Sequence, residues 1–150
     1  MTPLPLHEKK ALLSWIEGTF GIPIKRLEPL LLFKKGRDIW MASPQLQEIA
    51  LPSTTRAGAR LARQDRRSYR LTTPAIQLLG RWATRRVVEI TTQEGERYIR
   101  GEDLTLDSPP SIPRGQVIVR VHGRPLGSGL LEGKGIKNQI PVAQRVRKAL

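Results

Sequence analysis

The chain has 150 residues, enough for one domain with a buried core or for two small subdomains. Twenty-six Lys and Arg against thirteen Asp and Glu give a net charge of +13, and there is no cysteine. That composition excludes disulfides, thiolate metal sites and cysteine nucleophiles. With only His7 and His122 it also argues against a histidine metal site or any other bound cofactor. The longest aliphatic run, Leu30-Leu31-Leu32-Phe33, is too short to cross a bilayer, and MTPLPLHEKK lacks the basic-then-apolar order of a secretory signal. A cytoplasmic protein without membrane association is the expectation.

An excess of positive charge draws polyanions to a surface and speeds their arrival. It is concentrated mid-chain: residues 1–50 carry +2, residues 51–100 carry +7 and residues 101–150 carry +4. Arginine outnumbers lysine by 18 to 8. Guanidinium groups bond phosphate in bidentate fashion and stack on bases, so the bias favours a nucleic acid over a membrane surface.

Residues from about Leu6 to Thr19 read as an amphipathic helix, with Leu12, Leu13, Ile16 and Phe20 on one side, ended by Gly18, Gly21 and Pro23. LLLFKKGRDIWMAS is two apolar runs about a turn and predicts a β-hairpin, with Trp40 in core or hairpin-face packing. A short helix is expected over Pro44–Ala50. The run RAGARLARQDRRSYRL, Arg56 to Leu71, holds six arginines and one aspartate. A basic helix competes with a hairpin turning at Gln64-Asp65. The hairpin is favoured, with Arg60, Arg66 and Arg70 in water and Leu61, Tyr69 and Leu71 inward.

TPAIQLLGRWA predicts a helix capped by Thr73 with Pro74 at its first position. RRVVEI predicts a strand, and TTQEGERYIRGE a second short helix opened by a capping Thr and closed by Gly101. In GQVIVRVHG, Val117, Val119 and Val121 alternate with Ile118 and Arg120, the clearest strand in the chain. Val142–Leu150 is expected as a basic terminal helix. The fold class is α+β, mixed and mostly antiparallel β with short helices. The seam falls near Leu71, giving a small α/β subdomain over 1–71 and a second unit over 72–150.

HGRPLGSGLLEGKGIKNQIP, His122 to Pro141, is the most glycine-rich stretch. It is not a P-loop: Ser128 stands where the first glycine belongs, and Gly135 follows Lys134 where a hydroxyl is needed. It reads instead as a tight turn at Gly123 and a strand over Leu126–Leu131. There Gly127 and Gly129 bare the backbone to a close approach by another chain or ligand. A loop then carries Lys134, Lys137 and Asn138 outward.

These motifs carry a resemblance. Tyr98-Ile99-Arg100-Gly101-Glu102-Asp103-Leu104, Gly123-Arg124-Pro125-Leu126-Gly127-Ser128-Gly129, and Lys137-Asn138-Gln139-Ile140-Pro141 with Arg145 resemble the C-terminal PUA-like RNA-binding region of bacterial Sun-type rRNA (cytosine-5) methyltransferases. The similarity is strongest over residues 72–145, and FGIPIKRLEPLLLFKKGRDIWMAS resembles the small β subdomain before that region. The resemblance implies a PUA-like second half and a recognition role. The methyltransferase domain and its two cysteines have no counterpart here, and cytosine-5 methylation needs a thiolate.

A non-catalytic RNA-binding protein is therefore expected, with rRNA the first partner and tRNA the second, in RNA modification or ribosome assembly. The alternative is a protein-interaction module docking on a separately encoded rRNA methyltransferase, an assembly factor or a ribosomal subunit. An RNA-acting enzyme ranks last, because the carboxylates are scattered and no catalytic set can be assembled. The expected RNA contacts are Arg56, Arg60, Arg66, Arg67, Arg70, Arg100, Arg124, Gly127, Lys134, Lys137, Asn138, Arg145 and Arg147.

Overall fold

The computed structural model describes residues 1–42, 58–66 and 68–146. The helix expected over Pro44–Ala50 lies outside the described residues, as do Arg56, Arg67 and Arg147.

Helix α1 (Leu6–Phe20) buries Leu12, Leu13, Ile16 and Phe20 and ends at Gly21, as the spacing predicts. After the short α2 (Ile24–Leu27), the chain builds an antiparallel sheet. Strand β1 (Thr2–Pro3) flanks β2 (Leu31–Lys35), followed by β3 (Asp38–Ala42), β4 (Ala59–Asp65) and β5 (Ser68–Leu71), in the order β1-β2-β3-β4-β5. The arginine-rich run is thus a hairpin, not a helix. Its turn falls two residues later than Gln64-Asp65, because Asp65 still pairs with Ser68. The Asp65 carboxylate accepts the Arg66 N–H at 2.9 Å, the local bond with which Asp opens a turn.

Helix α3 (Thr73–Leu79) is capped by Thr72 rather than Thr73. Pro74 has no N–H to offer, so the first donor the cap can satisfy is Ala75, which bonds Thr72 Oγ1 at 3.2 Å. Helix α4 (Thr92–Ile99) opens with a complete capping box between Thr91 and Glu94. The second sheet has the order β6-β8-β9-β10-β7, from β6 (Val87–Glu89), β7 (Leu104–Thr105), β8 (Gly115–Val121), β9 (Arg124–Glu132) and β10 (Gly135–Asn138). Its pairs are antiparallel except β6 with β8. Among the described residues the terminal helix reduces to one 3₁₀ turn, Val142–Gln144, after which Arg145 is extended. The α+β class holds: two mostly antiparallel sheets with short helices against them.

Strand β8 joins two cores. Ile118 is fully buried in a cluster with α1, α3 and the first sheet, whereas Val117 and Val119, equally buried, face a cluster with Tyr98, Leu131, Ile136 and Ile140. Alternation along one strand therefore serves both cores. Arg120 adds a polar link: its Nη1 donates to the carbonyls of Gly80 and Ala83 at 3.1 Å, and its Nε to Glu89 at 2.8 Å. Truncating Ile118→Ala should cost about 2–5 kcal/mol, the range for a large-to-small change at a filled site. Urea unfolding should show a lowered midpoint.

Candidate nucleic-acid interface

On the first sheet, one face packs on α1 and α3 through Leu32, Ile39, Met41, Leu61, Ala62 and Leu71. The other face is set by register: Phe33 lies opposite Trp40, Trp40 opposite Arg60, Asp38 opposite Arg63, and Arg63 opposite Arg70. Arg60 and Arg63 are three residues apart and would fall on opposite faces of a regular strand. A bulge resolves this. The β3–β4 register shifts between Ile39 and Trp40, leaving Leu61 as an extra inward residue and turning both arginines outward. Arg60, Arg63 and Arg70 are exposed. Asp38 pairs with Arg60 at 3.3 Å, a surface ion pair of little net worth. Arg63 and Arg70 face each other directly across the ladder, an arrangement that repels.

These three arginines line a cleft of about 560 Å³ between the two sheets, together with Trp40, Thr72, Ser128, Gln139, Pro141 and Gln144. The cleft floor is a chain of fixed hydrogen bonds. Gln116 grips Leu71 through both backbone groups, accepting its N–H at 3.0 Å and donating to its carbonyl at 2.8 Å. The second Gln116 N–H goes to Ser128 Oγ at 2.7 Å, and the Ser128 hydroxyl donates to Gln139 Oε1, 2.6 Å away. Trp40 Nε1 is buried and has no hydrogen-bond partner among the described residues. An unmet donor of this kind costs about 1–3 kcal/mol.

The other expected contacts do not all converge on this place. Lys137 is exposed on β10 opposite Leu130, on the same sheet face as Ser128. Arg66 is exposed in the β4–β5 turn, and Arg100 is exposed where it ends α4. Lys134 sits at the β9–β10 turn and Arg124 at the other end of the nine-residue β9, roughly 26 Å away at about 3.3 Å per residue. Arg124 lines a separate, shallower cleft with His122, Thr92, Glu96 and Leu126.

Gly127, Asn138 and Arg145 are placed differently from the sequence reading. The close approach at Gly127 is made by the chain itself: a Cβ there would lie 2.6 Å from Ile140 Cγ1. Asn138 is only 8% exposed and points inward, donating to the carbonyls of Tyr98 and Glu102 and accepting the Ile140 N–H. Its amide serves three otherwise stranded backbone groups, which a solvent-facing contact would leave unmet. Arg145 folds over Gly101 and donates to the Ile140 carbonyl at 3.0 Å. The residues that sequence reasoning missed are Arg63, Gln116, Ser128 and Gln139. Only Arg63, inside the arginine run, left a signal that alternation could have been tested against.

Among the described residues no group of three or more His, Cys, Asp or Glu could hold a metal ion. No described helix is long and apolar enough to cross a membrane.

Residues 85–146 match the family model described as the methyltransferase RsmF PUA domain. Over these residues the chain is similar to a PUA domain of the RsmF type. The motifs around Tyr98, Gly123 and Asn138 fall within the matched residues, and the resemblance read from them holds. The chain is also 30% identical over 141 residues to the ribosomal RNA small subunit methyltransferase F of Aeromonas salmonicida, covering 93% of this chain and 28% of that protein. The protein of the same name from Aeromonas hydrophila is 29% identical over 140 residues, with the same coverages of 93% and 28%. That of Salmonella paratyphi B is 28% identical over 115 residues, covering 76% of this chain and 24% of its own. The chain thus spans about a quarter of the length of these relatives. In fold it is similar to the crystal structure of a hypothetical protein from Pyrococcus horikoshii, with a TM-score of 0.58, 16% identity and 92% of each chain covered.

Within the matched residues, the fully buried Tyr98 donates its hydroxyl proton to the Ser128 carbonyl at 2.7 Å, and burial pushes its phenol far above the ordinary tyrosine pKa. An unfolded tyrosine ionises near pH 10 while the folded one stays protonated, so the stability from this burial is full below about pH 10 and is lost as pH rises. Chemical unfolding across the alkaline range should show that loss. Tyr98→Phe should be less stable by about 1 kcal/mol at neutral pH and should have a shallower alkaline decline.

Proposed function

We propose that this chain is a non-catalytic RNA-binding module acting alongside rRNA methylation in the cytoplasm, and that it seats structured rRNA on the arginine face of its first sheet. The observation that carries the reading is the Arg63–Arg70 pair. Two guanidinium groups held directly opposite each other, with Arg60 beside them, gain when a phosphate comes between. Like charges directly opposite each other in a sheet are destabilising. Trp40 and Phe33 on the same face add flat surfaces of the kind on which unpaired bases stack.

The PUA match and the rRNA methyltransferase names of the relatives support an rRNA context. A role in recognition rather than chemistry is supported by the absence of any thiol in the sequence, since methyl transfer to cytosine C5 proceeds through a covalent thiolate adduct. Arg60, Arg63 and Arg70, with Lys137 on the adjoining sheet, are the phosphate contacts in this reading. Gly127 and Asn138 act as framework instead.

Binding to a small-subunit rRNA stem-loop should weaken linearly with the logarithm of salt concentration. Replacing Arg60, Arg63 and Arg70 together by Gln should lower affinity and make that slope shallower by roughly 2, at about 0.7 per lost single-strand contact. Filter binding from about 50 to 200 mM salt measures this. A flat salt response in the unaltered chain would refute RNA binding; an unchanged slope in the triple variant would move the phosphate contacts elsewhere.

A further inference from the structure

We infer that the chain carries a second RNA-binding surface, on the helical side of the first sheet, where Lys25, Arg26, Arg81 and Arg85 gather around Trp82 and take the phosphate backbone of a second RNA segment. This rests on the RNA-binding reading and adds to it that one chain grips two segments at once.

Parts of the chain far apart in sequence build the patch. The N–H groups of Thr84 and Arg85 both donate to the Phe20 carbonyl at the end of α1, at 2.9 and 3.0 Å, and Arg85 Nη1 reaches the Gly18 carbonyl at 3.0 Å. Trp82 is half-buried against the first core and receives two guanidinium groups. That of Arg26, from α2, lies 4.7 Å from the ring centroid, and that of Arg81 lies 4.3 Å away. Lys25, Arg26, Arg81 and Arg85 are all exposed.

Stacking on the ring attracts each cation singly. It also holds the two within about a Debye length of each other, where like charges repel. No carboxylate relieves them: among the described residues the ion pairs involve none of these four side chains, and Glu17 is spent on the Ile24 N–H at 3.0 Å. Nor does the side chain of Arg26 or Arg81 donate a hydrogen bond among the described residues. A guanidinium that stacks through its flat face keeps its in-plane N–H groups for other acceptors. Two such forks, fixed in direction and unspent, suit phosphate oxygens. The indole is already committed to the core and to the two cations, so it offers no platform to a base. The contact is therefore with backbone and carries no sequence preference.

The patch and the cleft face different ways. Arg60, Arg63 and Arg70 stand on the sheet face that the helices leave open, whereas Trp82 packs into the core on the face that α1 and α3 cover. Sheet and helices lie between the two basic surfaces, so one short stem cannot touch both.

Native mass spectrometry of the chain with a short rRNA stem-loop in excess reads the outcome as stoichiometry. The unaltered chain should take two RNAs. Arg26→Gln with Arg81→Gln should take one, with the affinity of that first RNA unchanged within about twofold, because the cleft is screened from the patch. Arg60→Gln, Arg63→Gln and Arg70→Gln together should also take one, held by the patch. Arg26→Lys with Arg81→Lys, which keeps charge but loses the planar fork, should still take two, the second more weakly. An amide spectrum unchanged away from the substituted residues shows that each variant is folded.

A single RNA on the unaltered chain overturns the second surface and leaves the first intact. Two RNAs on the Arg26, Arg81 glutamine variant overturn it as well, as does the loss of all binding in the Arg60, Arg63, Arg70 variant. No RNA on the unaltered chain would count against the RNA-binding reading itself.

Discussion

The Gln116 amide is the joint on which the rest of the structure depends. It spends its oxygen and both N–H groups on the last residue of the first sheet and a serine of the second. A partly buried amide with any of these left unmet would cost more than the whole interaction contributes, so the joint is formed completely or not at all. Ser128 gathers the remaining strands of the network. Its N–H bonds Thr73 Oγ1 at the start of α3, and its carbonyl accepts from Tyr98 and from the Gln139 N–H. One residue of β9 therefore ties together both sheets, two helices and the segment following β10.

Seen from that joint, the family motifs are architectural. Tyr98, Gly101, Asn138 and Arg145 meet around the Ile140 turn, and the small residues at 127 and 129 are the space into which Ile140, Ile136 and Tyr98 fit. The charge pattern is similarly divided. Arg85, Arg86, Arg120 and Arg145 all donate to backbone carbonyls: Gly18, Gln116 and Pro113, Gly80 and Ala83, and Ile140 respectively. Burial pulls the Arg86 guanidinium below its ordinary pKa, as expected of a cation withdrawn from water. Part of the arginine bias is thus scaffold. A planar five-donor group satisfies several carbonyls at once, which a lysine cannot do in that geometry.

Helix α1, the Leu31–Ala42 hairpin, the capping box at Thr91 and the alternation in β8 were legible because each rests on neighbours within a turn or a strand. The arginine hairpin was legible, as was the outward facing of Arg60, Arg66 and Arg70 over the inward Leu61, Tyr69 and Leu71, but the outward turn of Arg63 was not. The Leu61 bulge reverses the alternation midway, and nothing in the local composition announces it. The inward turn of Asn138 was hidden for another reason: its partners Tyr98 and Glu102 are 40 and 36 residues away. The same holds for Gln116 and Leu71, separated by 45 residues. Polar side chains that find their partners across such distances look identical in sequence to those that stay in water.

The bulged strand β4 has a final consequence. Its packed residues, Leu61 and Ala62, all point one way, and its guanidinium groups all point the other. The side of the hairpin that meets a ligand is thereby decoupled from the side that holds the molecule together. New chemistry at the mouth can be tried without rebuilding the foundations, so related proteins sharing this frame are free to diverge in what they recognise while remaining equally well folded.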